Sequence, residues 1–320
     1  MSKIWYLALE PLESRYTGDW MKQFPEVWEV TGRNYEVILG EPQAKQIDRK
    51  FFLDPLGTNK WKLTQLGKLL DRISEVNDED TIFIPDGWYP GIEILGYIRN
   101  MMDRKFKLAA YWHAGTYDPW DLTAQSGMDK WAGGLEHSWF ILYDINFVAT
   151  EFHKDLIQAR YDVPDEKFRI VGFPLDLEGI KKKYRTNERT KDIMFTGRLS
   201  SEKGMEVIEE LKKEYNITIL SELGLRREDY FKELAKGKVV IAPSKQETFG
   251  IGVLEGATLG LLPVVPDKLS FKETLSDVFR YNSMEEMKAM IERGLDKVCN
   301  EPDLRRYQYQ EVIKKMSEEM

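Results

Sequence analysis

The sequence holds 320 residues, 42% of them hydrophobic and 31% charged, with a formal net charge of −8. That length exceeds what one hydrophobic core usually serves and points to two domains, while no run reaches the roughly 18 consecutive apolar residues of a membrane span. Net acidity counts against wholesale coating of nucleic acid, which leaves a basic footprint, and the single cysteine, Cys299, excludes an internal disulfide and a cysteine-rich metal site.

The opening residues, Met1-Ser2-Lys3-Ile4-Trp5-Tyr6, lead into a strand-like stretch without the pattern of a signal peptide, so a cytoplasmic location is the expectation. Strands are expected at 4–9, 36–39, 81–84, 108–113, 146–150 and 169–173, and then at 193–196, 217–220, 239–243 and 262–265. Between them, stretches such as 64–76 and 205–215 repeat apolar residues at helical spacing. Strand alternating with helix predicts an α/β fold with parallel, covered sheets.

The polar segment 176–191, with Lys181-Lys182-Lys183-Tyr184-Arg185 at its centre, reads as an interdomain hinge, as a solvated helix face, or as both. The expected organisation is a first domain over 1–175, a second over 176–300, and a helix over 301–320 packing back on the first. Residues 1–175 carry 20 Lys+Arg against 27 Asp+Glu and all nine tryptophans, so the halves differ in surface chemistry.

Two segments of the second domain carry the chemistry. In Ile193-Met194-Phe195-Thr196-Gly197-Arg198-Leu199-Ser200-Ser201-Glu202-Lys203-Gly204, a buried strand ends at a turn glycine followed by two cations. Ligands bind outside the carboxyl ends of parallel strands, where Arg198 and Lys203 can neutralise a diphosphate. In Val239-Val240-Ile241-Ala242-Pro243-Ser244-Lys245-Gln246-Glu247-Thr248-Phe249-Gly250-Ile251-Gly252-Val253-Leu254-Glu255, a strand enters a polar loop that opens a helix near Phe249 or Gly250. Glycine there lets a ligand approach the backbone, and the helix end attracts phosphate. Glu255, one and a half turns inside, suits a pair of sugar hydroxyls, which donate two hydrogen bonds to one carboxylate.

Together these segments resemble the E-x7-E signature and the phosphate-binding GR…KG element of nucleotide-sugar glycosyltransferases of the GT-B fold, family 4 type. Glu247 and Glu255 stand as the two glutamates and Gly197-Arg198 through Lys203-Gly204 as the second element. The resemblance implies two facing Rossmann-like domains. It also implies Gly197, Arg198, Lys203, Phe249, Gly250, Ile251 and Glu255 on the donor nucleotide, with Glu247 near the donor sugar. His113, at the end of the strand 107–113, matches the family's sugar-contacting histidine, so His113, Arg198, Lys203 and Glu247 form the expected catalytic set. Retention of configuration is implied too.

The chain departs from the family in two places. The usual glycine-rich loop after the first strand is replaced by Glu10 through Trp20, where Arg15, Tyr16 and Trp20 offer an acceptor site or else a helix start with Trp20 in the core. The second domain is trimmed between the strands at 217 and 239, which leaves base selectivity open.

Asp78-Glu79-Asp80 reads as a solvated helix terminus and not a metal motif, and Gly250-Ile251-Gly252 only nearly matches a dinucleotide fingerprint. No cofactor or metal is expected. The expected activity is therefore a metal-independent transfer from a nucleotide-diphosphate sugar, a UDP-sugar in the first instance, to a hydroxyl acceptor. That acceptor is read as a small sugar or metabolite, with a hydroxymethylated DNA base as the variant that charge disfavours. A non-catalytic nucleotide-sugar-binding module and a nucleotide-sugar epimerase are the alternatives.

Overall fold

The computed structural model describes residues 2–11, 16–42, 54–296 and 301–320; Arg15 and Cys299 lie outside the described residues. The chain folds into two compact units. Unit 1 comprises Met1–Ala149, Lys154–Val171 and Ile313–Met320, and unit 2 comprises Thr150–His153 and Gly172–Val312.

In chain order the first half contains β1 (Lys3–Leu7), α1 (Thr17–Thr31), β2 (Asn34–Ile38), α2 (Pro55–Asp71), β3 (Thr81–Ile84), α3 (Glu93–Met101), β4 (Lys107–Tyr111), α4 (Leu122–Gln125), α5 (Asp129–Leu142), β5 (Ile145–Val148), α6 (Glu151–Gln158) and β6 (Phe168–Ile170). There follow α7 (Leu177–Tyr184), β7 (Lys191–Phe195), α8 (Met205–Leu211), β8 (Ile217–Ile219), α9 (Arg227–Leu234), β9 (Gly237–Ile241), α10 (Ile251–Thr258), β10 (Leu262–Pro266), α11 (Phe271–Thr274), β11 (Arg280–Tyr281), α12 (Met284–Asp296) and α13 (Tyr309–Glu319).

Strands such as Thr-Ile-Phe-Ile at β3 are buried at every position, the pattern of a parallel sheet covered on both faces. Unit 1 has the six-stranded order β2-β1-β3-β4-β5-β6 and unit 2 the five-stranded order β11-β10-β9-β7-β8. All pairings within them are parallel. Each sheet therefore reverses its direction of winding once, between β1 and β3 in unit 1 and between β7 and β9 in unit 2. At such a switch point the loops leaving two neighbouring strands part in opposite directions and open a crevice.

Local chemistry sets the element ends. Helix α1 buries Trp20, Phe24, Val27 and Trp28 at helical spacing and stops at Gly32, φ 68°, whose N–H closes on the Glu29 carbonyl. The helix expected over 64–76 starts earlier, at Pro55, because Asp54 accepts the Leu56 N–H and proline occupies the first turn. The segment 176–191 contains α7, with Asp176 accepting the Gly179 N–H at its start. Among the described residues, Arg280–Tyr281 adds an eleventh strand too short to show any period in the sequence.

The core of unit 1 explains most of the tryptophans. Trp5, Trp20, Trp28, Trp61, Trp112 and Trp139 are buried, whereas Trp120 and Trp131 are exposed. Trp28 donates its indole N–H to Ser317 Oγ at 2.8 Å, and Thr81 Oγ1 donates to the Met320 carbonyl at 2.9 Å, so the end of the chain completes this unit. Asp80 is no solvated terminus. It is buried and accepts from the Lys3 N–H at 2.8 Å, the Trp5 indole at 3.0 Å and the Asn77 N–H at 2.9 Å. Although burial raises its pKa, these donors outweigh it and hold the carboxyl below the usual carboxylate range.

Candidate functional site

In unit 2 the neighbours β7 and β9 pair in parallel, with Phe195 beside Ile241, so the loops leaving their carboxyl ends share one edge. Glu202 ties the two together. Its carboxylate meets Arg198 at 3.2 Å, and its main-chain carbonyl accepts the N–H groups of Lys245 at 2.8 Å and Gln246 at 3.3 Å.

Lys203 ends a short 3₁₀ turn, Ser201–Lys203. The next residue must be glycine on two counts: Gly204 has φ 77°, and an added Cβ would collide with the Pro243 carbonyl. This close approach aims the Lys203 ammonium at the second loop, where it lies 3.0 Å from the Gln246 carbonyl and 3.1 Å from Glu247 Oε2. The other carboxylate oxygen of Glu247 accepts the Gly250 N–H at 3.1 Å. Helix α10 starts one residue later, with Gly250 at φ 91° as its cap. Burial acts to raise the Glu247 pKa, but the Lys203 ammonium and the Gly250 and Phe249 amides prevail and keep it below the ordinary value.

The structure thus brings Lys203, Glu247 and the Gly250 amide together, and the amide assigned to phosphate is held by a carboxylate of the chain itself. Arg198 sits beside them through Glu202. Phe249 is buried, with its ring 5.6 Å from Phe173 and 4.9 Å from Tyr307, so its side chain serves the core. Glu255 is buried on α10 and turned toward α9. Arg227 donates to its Oε1 at 2.7 Å and Tyr230 to its Oε2 at 3.0 Å. Neither Arg227 nor Tyr230 carried a signal in the sequence.

Unit 1 carries a cavity of about 640 Å³ at its own switch point. The residues following β1, β3 and β4 line it, among them Glu10, Tyr16, Asp86, Trp88 and His113, with Lys62 from α2 and Asp121, Thr123 and Trp131 opposite. His113 Nε2 lies 2.7 Å from the Pro85 carbonyl and Nδ1 3.2 Å from the Tyr16 hydroxyl. A carbonyl can only accept, so Nε2 carries the proton and Nδ1 accepts from Tyr16. Burial, the leading influence, lowers the histidine's pKa below 6.5 and favours this neutral ring.

Of the three acceptor-site candidates, Tyr16 lines the cavity, Arg15 lies outside the described residues, and Trp20 is fully buried against Tyr111 and His113. Trp20 belongs to the core because it shares the inward face of α1 with Phe24 and Trp28. The other two histidines are structural in their contacts: His153 is buried and His137 stacks on Tyr161. Glu136, also buried, holds the cavity-lining Trp88 by accepting from its indole at 2.6 Å, and accepts as well from the Thr116 N–H at 2.7 Å and the Tyr161 hydroxyl at 2.8 Å. Among the described residues no three His, Cys, Asp or Glu side chains group as metal ligands, and no helix is long and apolar enough to cross a membrane.

No protein-family model matches the chain. A tRNA-queuosine alpha-mannosyltransferase of Drosophila melanogaster is 39% identical over 59 residues; the match spans 18% of this chain and 16% of that protein. Among solved structures, a sucrose-phosphate synthase from Thermosynechococcus elongatus superposes with a TM-score of 0.69 at 10% identity, over 99% of this chain and 98% of the other. The lipopolysaccharide outer core galactosyltransferase WaaB gives 0.63 at 12%, over 99% and 98%. The catalytic domain of starch synthase IV from Arabidopsis thaliana, bound to ADP and acarbose, gives 0.60 at 11%, over 98% and 94%. The fold of the chain is the two-unit GT-B fold of glycosyltransferases.

Proposed function

We propose that the protein transfers a sugar from a nucleotide-diphosphate sugar, a UDP-sugar in the first instance, to a hydroxyl acceptor. The observation that carries this reading is the Lys203–Glu247–Gly250 cluster at the switch point of unit 2, on a GT-B fold. Breaking the bond between sugar and diphosphate builds negative charge on the terminal phosphate. A lysine fixed by the chain, a second cation at Arg198 and the amino end of α10 are preorganised to meet that charge, the arrangement that usually contributes most to catalysis.

In this reading the donor's phosphates engage the Lys203 ammonium and the Gly250 N–H that Glu247 now holds, and Glu247 then turns to the hydroxyls of the transferred sugar. Glu255 takes the donor ribose, with Arg227 and Tyr230 orienting its carboxylate. Family resemblance assigns His113 to the transferred sugar, and the cavity beside it in unit 1 takes the acceptor, a small sugar or metabolite. The reaction proceeds with retention and without a metal; family resemblance supports these readings.

A second acceptor reading, a hydroxyl on a modified nucleobase within a nucleic acid, is favoured by the 59-residue match to a protein named for mannosylating queuosine in tRNA. The net charge of −8 opposes it. Nucleic-acid binding that weakens steeply with salt would support it, and binding indifferent to salt would remove it.

Incubation with UDP-, GDP-, ADP- and dTDP-sugars in turn, without acceptor, tests the main reading. Slow nucleotide release from one of them is expected. A sugar nucleotide that binds and is returned intact, with or without candidate acceptors, identifies a binding module instead.

A further inference from the structure

Trp88 follows β3 at the switch point of unit 1, half-buried and lining the cavity there. Both its backbone and its ring are tied down. The main-chain N–H donates to Asp86 Oδ1 at 3.3 Å, and the carbonyl accepts from Lys62 Nζ at 2.6 Å. The ring stands nearly perpendicular to that of the buried Trp139, 5.3 Å between centroids, and the indole N–H donates to Glu136 Oε1 at 2.6 Å. The turn before it is equally tight. The Gly87 carbonyl accepts from the buried Tyr143 hydroxyl at 3.0 Å, and a Cβ at Gly87 would collide with the Trp112 indole. Glu136 is fully buried in α5, a place where a carboxylate must be hydrogen-bonded to be tolerated. Its Oε1 also accepts the Thr116 N–H at 2.7 Å, and its Oε2 accepts the Thr116 and Tyr161 hydroxyls, each at 2.8 Å. One carboxylate thus joins the loop after β3 to the loop after β4 and to the residues after α6.

We infer that Trp88 is the stacking platform of this cavity for a sugar ring, and that Glu136 is the positioning residue that sets the plane of the platform. The inference rests on the acceptor role given to the cavity above and names the residues that orient the acceptor. An indole has a single hydrogen-bond donor, and Glu136 takes it, so Trp88 offers the cavity apolar ring surface. The C–H face of a sugar ring matches that surface. Its hydroxyls can donate to the carboxylate of Asp86, two residues away and 28% exposed. A ring held in one plane before the ligand arrives gives up little freedom on binding, which is where preorganisation gains affinity. The two oxygens of Glu136 have unequal tasks. Oε1 faces two N–H groups, which can only donate, whereas Oε2 faces two hydroxyls, which can reverse and accept. Glutamine satisfies this pattern with its oxygen on the first side and its amide N–H groups on the second; leucine satisfies neither side.

The test uses the whole chain labelled with 5-fluorotryptophan, the Trp88 fluorine signal being the one lost in Trp88→Ala. Millimolar maltose or cellobiose is expected to shift that signal. Trp88→Ala is expected to weaken the same sugar about tenfold, read as saturation transfer to the ligand. Glu136→Leu should displace the Trp88 signal of the free protein and weaken the sugar about tenfold, whereas Glu136→Gln should leave the signal in place and the affinity within about twofold. Trp88→Phe, a milder change at a half-buried position, deletes the bond to Glu136 from the other side and should cost about threefold, so the positioning role stays testable if Glu136→Leu does not fold. Binding of neither sugar, parental binding by Trp88→Ala, by Trp88→Phe or by a folded Glu136→Leu, or a Glu136→Gln protein with displaced signal and weakened binding overturns the inference. Adenosine that shifts the Trp88 signal where neither sugar does also overturns it, by giving the platform to a nucleobase. The donor reading is followed separately on the same samples, as the thermal shift given by sugar nucleotides; that shift depends on unit 2 and survives if only the platform is wrongly assigned.

Discussion

Arg227 on α9 donates to Glu255 on α10 across 2.7 Å, and the carboxylate it holds is 2% exposed. A buried carboxylate is tolerated only when paired and hydrogen-bonded, and removing one partner strands the other charge. Arg227→Ala should therefore cost about 3–5 kcal/mol of stability, read as a fall in the urea midpoint, whereas Tyr230→Phe should cost only about 1 kcal/mol for a single lost hydrogen bond. Equal, small losses from both would show that the ion pair is not what fixes Glu255.

Glu247 presents a different balance, since its carboxylate occupies the Lys203 ammonium and the Gly250 N–H, the two groups to which the proposed function assigns the donor's phosphates. Glu247→Gln should bind nucleoside diphosphate about tenfold more tightly, equivalent to roughly 1.4 kcal/mol, while kcat falls by about 10² because the contact to the transferred sugar is lost. Calorimetric titration and steady-state kinetics on the same variant separate the two effects. A parallel loss of both would mean that Glu247 only supports the loop.

Gly204 tests the turn that aims Lys203. A methyl group there meets the Pro243 carbonyl in a backbone conformation with φ 77°. Gly204→Ala should destabilise unit 2 by more than about 1 kcal/mol and weaken donor binding through displaced Lys203. Unchanged melting with normal turnover would place the phosphate contact elsewhere.

His113 contributes a pH dependence of definite sign. Its folded-state pKa lies below the ordinary 6.5 because burial disfavours the imidazolium. The unfolded chain therefore binds the proton more readily. The stability due to this residue is complete above about 6.5 and declines as pH falls from there toward the folded-state value. His113→Gln, compared with the parent in urea at pH 7.5 and pH 5.5 (about one unit either side of the free histidine value), should lose that pH-dependent increment. An increment of the same size in the variant would assign it to another group.

Much of this was legible in the sequence, and the gaps have physical reasons. Near-continuous apolar runs such as Ile193-Met194-Phe195 identified buried parallel strands, and a turn glycine followed by cations at a strand's carboxyl end located Lys203. Whether β9 lies beside β7 is a tertiary fact, so the Lys203–Glu247 contact could not be read from either segment and was not among the expectations. Arg227 and Tyr230 could not be found, because which face of α9 meets α10 depends on packing and leaves no period in the sequence. Trp20 was readable as core from its spacing to Phe24 and Trp28, but its neighbours Arg15 and Tyr16 made a ligand site equally plausible. The cavity of unit 1 draws on segments from Leu7 to Trp131, and no local pattern joins them.

The central claim is that unit 2 grips the diphosphate of a sugar nucleotide through Lys203. Thermal denaturation of the parent and of Lys203→Ala, each with UDP-, GDP-, ADP- and dTDP-sugars, tests it most directly. The account predicts that at least one of these ligands raises the Tm of the parent in a concentration-dependent way and leaves the folded Lys203→Ala protein unmoved. A parent that responds to none of them, or a variant that responds as the parent does, would contradict it.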